Sequence, residues 1–148
     1  DYREKNPGIK AQWDMHGAAF KKLNAGGTYE VPVADGRTLK FWNIREEKDW
    51  TSAKVTKGGK RRSKFYGANI FQNVIQALAR SVFCGHMVEL DERGYKIVLQ
   101  VHDELVLEVD KSKVKQAAKD VEEVMTTPPD WCGCPLDCEY SIMERYTK

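Results

Sequence analysis

Two β-rich arms of six residues, Lys96–Val101 and Glu104–Val109, meet at the dipeptide His102-Asp103. A two-residue hairpin loop favours φ > 0, which Asn-Gly or Asp-Gly supplies. Neither His102 nor Asp103 is glycine, so the tip costs stability, and such positions are candidates for function. A carboxylate held at that tip can ligate Mg²⁺ for phosphoryl transfer. Two-metal chemistry places its ions about 3.5–4 Å apart and needs more than one carboxylate. Asp103 supplies one. Glu104 follows directly, but adjacent side chains on a strand point to opposite faces.

A second group of residues lies upstream. Asn69, Gln72, Asn73, Gln76 and Arg80 recur every three to four residues, which puts them on one face of a helix. Amides and a guanidinium are hydrogen-bond donors, and a plain solvated face would normally mix Glu with Lys. The minor groove offers acceptors at nearly the same places on every base pair. Donors aimed there verify the shape of a pair without reading its sequence. Before this face comes a run of cations, Lys54, Lys57, Lys60, Arg61, Arg62 and Lys64, around Gly58-Gly59. Glycines among cations suit phosphate, because backbone N–H groups can approach the anion as well. The expectation for 54–64 is a mobile basic loop.

The chain has 148 residues, which fits one domain. Its net charge is only +2, but the charge is unevenly placed. Residues 51–80 carry seven cations and no acid, while residues 81–148 carry eight cations and fourteen acids. A polyanion partner beside a carboxylate-rich region follows. The nine apolar residue types make up 41%, which excludes a disordered or collagen-like chain. Every apolar run falls well short of the roughly 18 residues that would span a membrane. The chain opens at Asp1 without a basic-then-apolar leader, so a processed chain or fragment, not a secreted one, is expected. Four cysteines, Cys84, Cys132, Cys134 and Cys138, are expected to be reduced. The C-x-C-x3-C spacing of the last three, with Cys84 or His86 as a fourth ligand, fits a zinc site poorly, and a structural or incidental role is expected for them.

The elements that must position these residues are legible in outline. Asn6-Pro7 starts a helix, Ile9, Trp13, His16 and Phe20 recur at helical spacing, and Gly26-Gly27 stops it, giving a helix over 7–24. Asp35-Gly36 between two extended runs predicts a hairpin near 29–43, with Pro32 marking an edge strand. Residues 66–92 read as one long helix ending at Gly94, with Ile70, Val74, Leu78, Phe83 and Met87 inside. The hairpin 96–109 has two largely apolar faces and should sit in a covered sheet. A helix over 111–125 follows, stopped by Pro128-Pro129. Alternation from Leu136 to Ile142 predicts a last strand near 137–146, paired in the sheet of the 96–109 hairpin. The fold class is α+β.

The string Leu99-Gln100-Val101-His102-Asp103-Glu104-Leu105-Val106-Leu107-Glu108 resembles motif C of the family A DNA polymerases, the DNA polymerase I type. Tyr66 to Arg80 resembles the long palm helix that precedes motif C, especially in phage versions. Tyr2-Arg3, Asn6-Pro7, Ile9 and Trp13 resemble the helix after the fingers. Pro128-Pro129, Trp131, Pro135-Leu136 and Arg145-Tyr146 resemble the phage polymerase tail. The resemblance implies a single, incomplete C-terminal palm domain over 1–148, an antiparallel sheet whose motif C hairpin packs against long helices. It implies a DNA-directed DNA polymerase in which Asp103 ligates metal, His102 contacts the primer terminus region and Glu104 shapes the site. Gln76 is then the minor-groove donor, with Gln72, Asn73, Asn69 and Arg80 on the same face and Lys60, Arg61, Arg62 and Lys64 on the DNA backbone.

The sequence also departs from the family. Gln72 stands where many members carry Asn, with Asn73 one residue later. Ala68 stands where an Arg is expected, leaving Asn69, Arg62 or Lys64 to substitute. The motif A aspartate and the fingers helix are absent; Asp1-Tyr2-Arg3 opens a helix and is not motif A. The implied cofactor is Mg²⁺ in a two-metal site whose second carboxylate comes from a missing segment. The implied partners are primer–template DNA, dNTP and the N-terminal remainder of the polymerase in cis or trans, with no membrane. The implied location is the cytoplasm of a bacterium or a phage-infected bacterial cell. Two other functions compete: a non-catalytic DNA-binding remnant, and a small two-metal nuclease using Asp103 with Glu108 or Asp110 and Lys111.

Overall fold

The computed structural model describes residues 1–23, 26–33 and 36–146. The chain divides into two compact units, residues 1–78 and 79–148.

In the first unit, α1 (Tyr2–Lys5) leads into α2 (Pro7–Lys21). Pro7 takes a first-turn position, where a missing N–H costs nothing. The inner face carries His16 and Phe20, both buried. The helix stops at Lys21, short of the expected 24; Asn24 lies outside the described residues. Four strands then form an antiparallel sheet in chain order: β1 (Tyr29–Pro32), β2 (Thr38–Glu46), β3 (Thr51–Lys54) and β4 (Ser63–Phe65). The β1–β2 hairpin is the expected one, in register Tyr29↔Phe41 to Pro32↔Thr38, with Pro32 on the edge strand. Its turn residue Asp35 lies outside the described residues, and Gly36 has φ +81°.

The structure corrects the reading of residues 51–65. They form a hairpin, β3–β4, in register Thr51↔Phe65 to Ala53↔Ser63. Only residues 55–62 loop out. Gly58, at φ +74°, serves the turn. The strand pattern is hard to read because its inward positions include Ser52 and Ala53, both fully buried but small and weakly apolar.

The core of this unit joins α2, the sheet and the next helix through Phe20, Val31, Phe41, Ile44, Ala53, Phe65 and Ile70. Phe41 and Phe65 lie edge to face with centroids 5.0 Å apart, and Phe20 stands edge-on to Phe41 and Tyr29. Such pairs add about 0.5–1.5 kcal/mol each beyond the area they bury. His16 Nδ1 and Tyr29 Oη share a hydrogen bond at 2.9 Å; burial pushes the His16 pKa down and the Tyr29 pKa up.

Helix α3 (Gly67–Glu92) is the long helix expected. Its first residue touches α2 backbone to backbone: an added Cβ at Gly17 would lie 3.6 Å from the Gly67 Cα, and one at Gly67 would overlap the Trp13 carbonyl.

The second unit holds the rest of α3, then β5 (Lys96–Val101) and β6 (Glu104–Glu108), a 3-10 turn at Lys111–Lys113, and α4 (Val114–Thr126). Gly94, at φ +85°, ends α3 in the left-handed conformation that glycine adopts freely. Leu90, Ala117 and Val124 are buried. Buried His86 donates from Nε2 to the Thr127 carbonyl at 2.9 Å. Arg93 bridges Glu89 at 2.7 Å and Glu123 at 3.1 Å, and Tyr95 donates to Asp120.

Two expectations for this unit are overturned. The β5–β6 hairpin is a two-stranded sheet of its own, and Val98 and Leu99 are exposed, so it does not sit in a covered sheet. Residues 137–146 form no strand. The same physics explains both: alternation makes a strand only where a neighbouring edge accepts its hydrogen bonds, and two-stranded sheets are marginal without cover. Among the described residues no further edge pairs with β5, β6 or the tail.

Gly67→Ala tests the close approach of α2 and α3. The added methyl must displace backbone, so the variant should lose about 3 kcal/mol, the upper end of overpacking costs. Gly85→Ala, with open space around it, should be neutral or stabilising. Urea denaturation of both variants measures the difference.

Candidate functional site

The hairpin tip is built as the sequence suggests. Val101 pairs with Glu104, leaving His102-Asp103 as the two-residue turn. His102 has φ +53°, in the left-handed region. A non-glycine residue held there costs of order 1–3 kcal/mol. The tip is also braced. Gln100 Nε2 donates to the His102 carbonyl at 3.1 Å, and Arg80 Nη2 donates to Gln100 Oε1 at 3.2 Å. The sequence places Arg80 on the DNA-facing stripe, and its contact with Gln100, twenty residues away, leaves no local sequence signal.

His102, Asp103 and Glu104 are all exposed. No donor among the described residues hydrogen-bonds to the Asp103 carboxylate, which leaves its oxygens open for a ligand. Asp103 is a hard oxygen donor of the kind Mg²⁺ takes. Among the described residues, no three His, Cys, Asp or Glu side chains converge on one point. The tip therefore fits one edge of a metal site and not a complete two-ion site. The nuclease reading weakens for the same reason. Glu108 stands at the far end of β6, about 13 Å from Glu104 at strand rise. It is also engaged by Lys96, which holds its carboxyl below the usual range.

The helix face divides once its hydrogen bonds are traced. Asn69 Oδ1 accepts from the Tyr66 N–H at 2.7 Å and its Nδ2 donates to the Lys64 carbonyl at 3.1 Å. That side chain fastens the start of α3. Asn73 Nδ2 donates to the Asn69 carbonyl at 2.6 Å. Gln72 and Gln76 are exposed, and neither amide has a partner among the described residues. They are the two amides of the stripe free to reach outward.

The basic segment divides in the same way. Lys60, Arg61 and Lys64 are exposed. Arg62 turns inward instead. Its Nε and Nη2 donate to Ser52 Oγ at 2.9 and 2.7 Å, and Nη2 also donates to the carbonyls of Asn43 and Ser52 at 2.8 and 3.1 Å. Glu47 lies 3.9 Å from its Nε. The clamped carbonyl belongs to Asn43, at φ +52°, where the β2–β3 register slips between Trp42 and Arg45. Arg62 thus locks a bulge. Lys57 is exposed and lies 5.5 Å from the centroid of the Trp42 ring.

In the tail, the Cys132 and Cys134 thiols turn toward the carbonyls of Cys134 and Pro135, and all four cysteines are free.

The family profile described as DNA polymerase family A matches residues 45–148. A curated protein named "DNA polymerase", from Bacillus phage SP02, is 33% identical over 155 aligned residues, covering 99% of this chain and 23% of that protein. The chain thus spans under a quarter of the length of this relative. No solved structure matches.

The brace at the tip makes a prediction. Arg80→Ala and Gln100→Ala should each speed amide hydrogen exchange at His102 and Asp103 while leaving α4 unchanged. Equal protection at the turn in wild type and both variants would show that the two hydrogen bonds hold nothing in place.

Proposed function

This chain belongs to DNA polymerase family A, and from that premise we propose that it is the C-terminal palm portion of a DNA-directed DNA polymerase. It serves template-directed nucleotidyl transfer as a fragment or split subunit. The two units together make one incomplete palm domain; the family match runs through their boundary, which supports this reading. The observation that carries the proposal is the exposed, unpartnered Asp103 carboxylate on a braced turn, inside a motif C-like hairpin.

The first unit holds primer–template DNA. Lys60, Arg61 and Lys64 contact phosphates, and Gln76 with Gln72 donates to the minor groove, where any well-formed pair presents acceptors. Asn69, Asn73 and Arg62 act by fixing the helix start and the bulge that present those side chains, and Arg80 acts through the hairpin tip. In the second unit, Asp103 supplies one ligand to Mg²⁺, His102 meets the primer terminus region and Glu104 shapes the tip. When bound, Mg²⁺ polarises the phosphoryl oxygens and stabilises the attacking and leaving groups. The second carboxylate and the grip on the dNTP come from the rest of the polymerase, in cis or trans. No helix among the described residues is long and apolar enough to cross a membrane. The working location is the cytoplasm of a bacterium, or of one infected by a phage.

Primer extension tests the proposal. The 148 residues alone should incorporate no nucleotide, because one turn carboxylate cannot hold two divalent ions. Added to a polymerase segment carrying motif A and the fingers helix, they should restore Mg²⁺-dependent extension. In that assembly Asp103→Asn should abolish extension, since the amide keeps the shape and loses the charge. Glu104→Gln should cost much less. Extension by the isolated chain, or an active Asp103→Asn assembly, would overturn the reading.

A further inference from the structure

The first unit has a cavity of about 410 Å³ on the outer part of its sheet, with Leu39, Lys40, Trp42 and Val55 in its wall and Asn73 reaching it from α3. Neither the hairpin tip nor the Gln72–Gln76 face accounts for it. Its residue types are specific. The Trp42 indole is half-buried and two ammonium groups rest against it, Lys40 Nζ at 5.7 Å and Lys57 Nζ at 5.5 Å from the ring centroid. Val55 is 60% exposed and gives the wall an apolar surface. The Asn73 Nδ2 is engaged by Asn69, while its Oδ1 has no partner among the described residues.

Trp42 is also held in place. It is the last residue of β2 in register before the bulge, and the guanidinium of Arg62 clamps the carbonyl of the next residue, Asn43, at 2.8 Å. Bulges re-aim side chains, and this one is fastened by a partly buried arginine. The surroundings choose the sign of the ligand: residues 51–80 carry seven cations and no acid.

A flat aromatic surface, mobile cations beside it and a lone amide acceptor match a nucleobase with its phosphate. A base inside a duplex has both faces covered by its neighbours, so the ligand is an unpaired one. We propose that Trp42, with Lys40 and Lys57, is a stacking subsite for an unpaired nucleotide of single-stranded DNA adjoining the bound duplex. The base displaces the two ammonium groups from the indole face, and they turn to the flanking phosphates. Contact between an exposed lysine and a ring is weaker than base stacking, so the exchange is favourable. Lys40 leaves its partner Glu30, at 2.8 Å, a surface pair that contributes little. The proposal rests on the polymerase reading for the duplex beside it.

Fluorescence anisotropy of the whole chain tests it with four probes: a blunt duplex, the same duplex with an oligo-dT overhang, oligo-dT alone, and dTMP as competitor. The overhang should tighten binding. Trp42→Leu should weaken binding of the overhang probe and of oligo-dT at least about fivefold, the low end for one stacked base, and leave the blunt duplex unchanged. Trp42→Phe should restore most of the loss. Lys57→Ala should reduce the salt slope on oligo-dT by about 0.7. Matching circular dichroism and melting curves for the Leu and Phe variants exclude misfolding as the cause. An equal loss on blunt and overhang probes, or no loss on either, overturns the subsite. If dTMP competes as strongly as oligo-dT, the pocket takes a free nucleotide and the strand assignment is wrong. Loss of blunt-duplex binding in the wild type would count against the polymerase reading instead, and the oligo-dT series would still decide the subsite.

Discussion

The backbone of Gly67 lies against the Trp13 carbonyl with no room for a side chain, and the position of α3 depends on that contact. It sets where the helix begins. Asn69 then ties the first turn to the Tyr66 N–H and the Lys64 carbonyl, and Ile70 enters the core one residue later. With the start and one buried residue fixed, the helical period leaves no freedom for the rest. Gln72 and Gln76 must face outward. In the second unit, by itself, Arg80 reaches Gln100 and so the turn that presents Asp103. Within the first unit, a glycine contact with no chemistry of its own thereby sets which amides of α3 face outward.

Charge is organised around this helix by the same economy. The acid-free stretch 51–80 does not place all its cations at the surface. Arg62 is drawn into the sheet, where Nε and Nη2 find acceptors and Nη1 is buried without one. An unpaired buried donor costs about 1–3 kcal/mol. The sheet bears that cost to hold a bulge between Trp42 and Arg45 that pairing alone would not keep. Of the cations left outside, Lys57, Lys60 and Arg61 project from the 55–62 loop of the β3–β4 hairpin and Lys64 from β4.

Much of this was legible in the sequence, for identifiable reasons. α2, α3 and α4 each bury a face, so their period of 3.6 is written in residue type, and the β5–β6 hairpin is marked by two runs of β-branched and apolar residues around a turn. The tip at His102-Asp103 stood out because it breaks the turn rule, and its positive φ bears that out. The strands β3 and β4 were missed because Ser52 and Ala53 are buried by their neighbours and not by their own hydrophobicity. Gly58-Gly59 was read as a phosphate cradle when it is first a hairpin turn. The tail misled in the opposite direction: Leu136 to Ile142 alternate, but a pattern without a paired edge forms no strand. In the candidate site, residue type marked the polar face but not its division of labour. Asn69, Asn73 and Arg62 bond backbone carbonyls, partners that every residue carries and no sequence distinguishes.

The central claim is that the first unit holds duplex DNA by its backbone and checks its minor groove without reading sequence. The affinity of the whole chain for duplex DNA, measured across a range of salt, tests this most directly. With about four to six phosphate contacts, Lys60, Arg61 and Lys64 among them, log affinity should fall against log salt with a slope of roughly −4 to −5. The triple change Lys60→Ala, Arg61→Ala, Lys64→Ala should reduce the slope by nearly three, while Gln76→Ala should weaken binding and leave the slope alone. A flat salt response, or affinity that follows base sequence, would contradict the account.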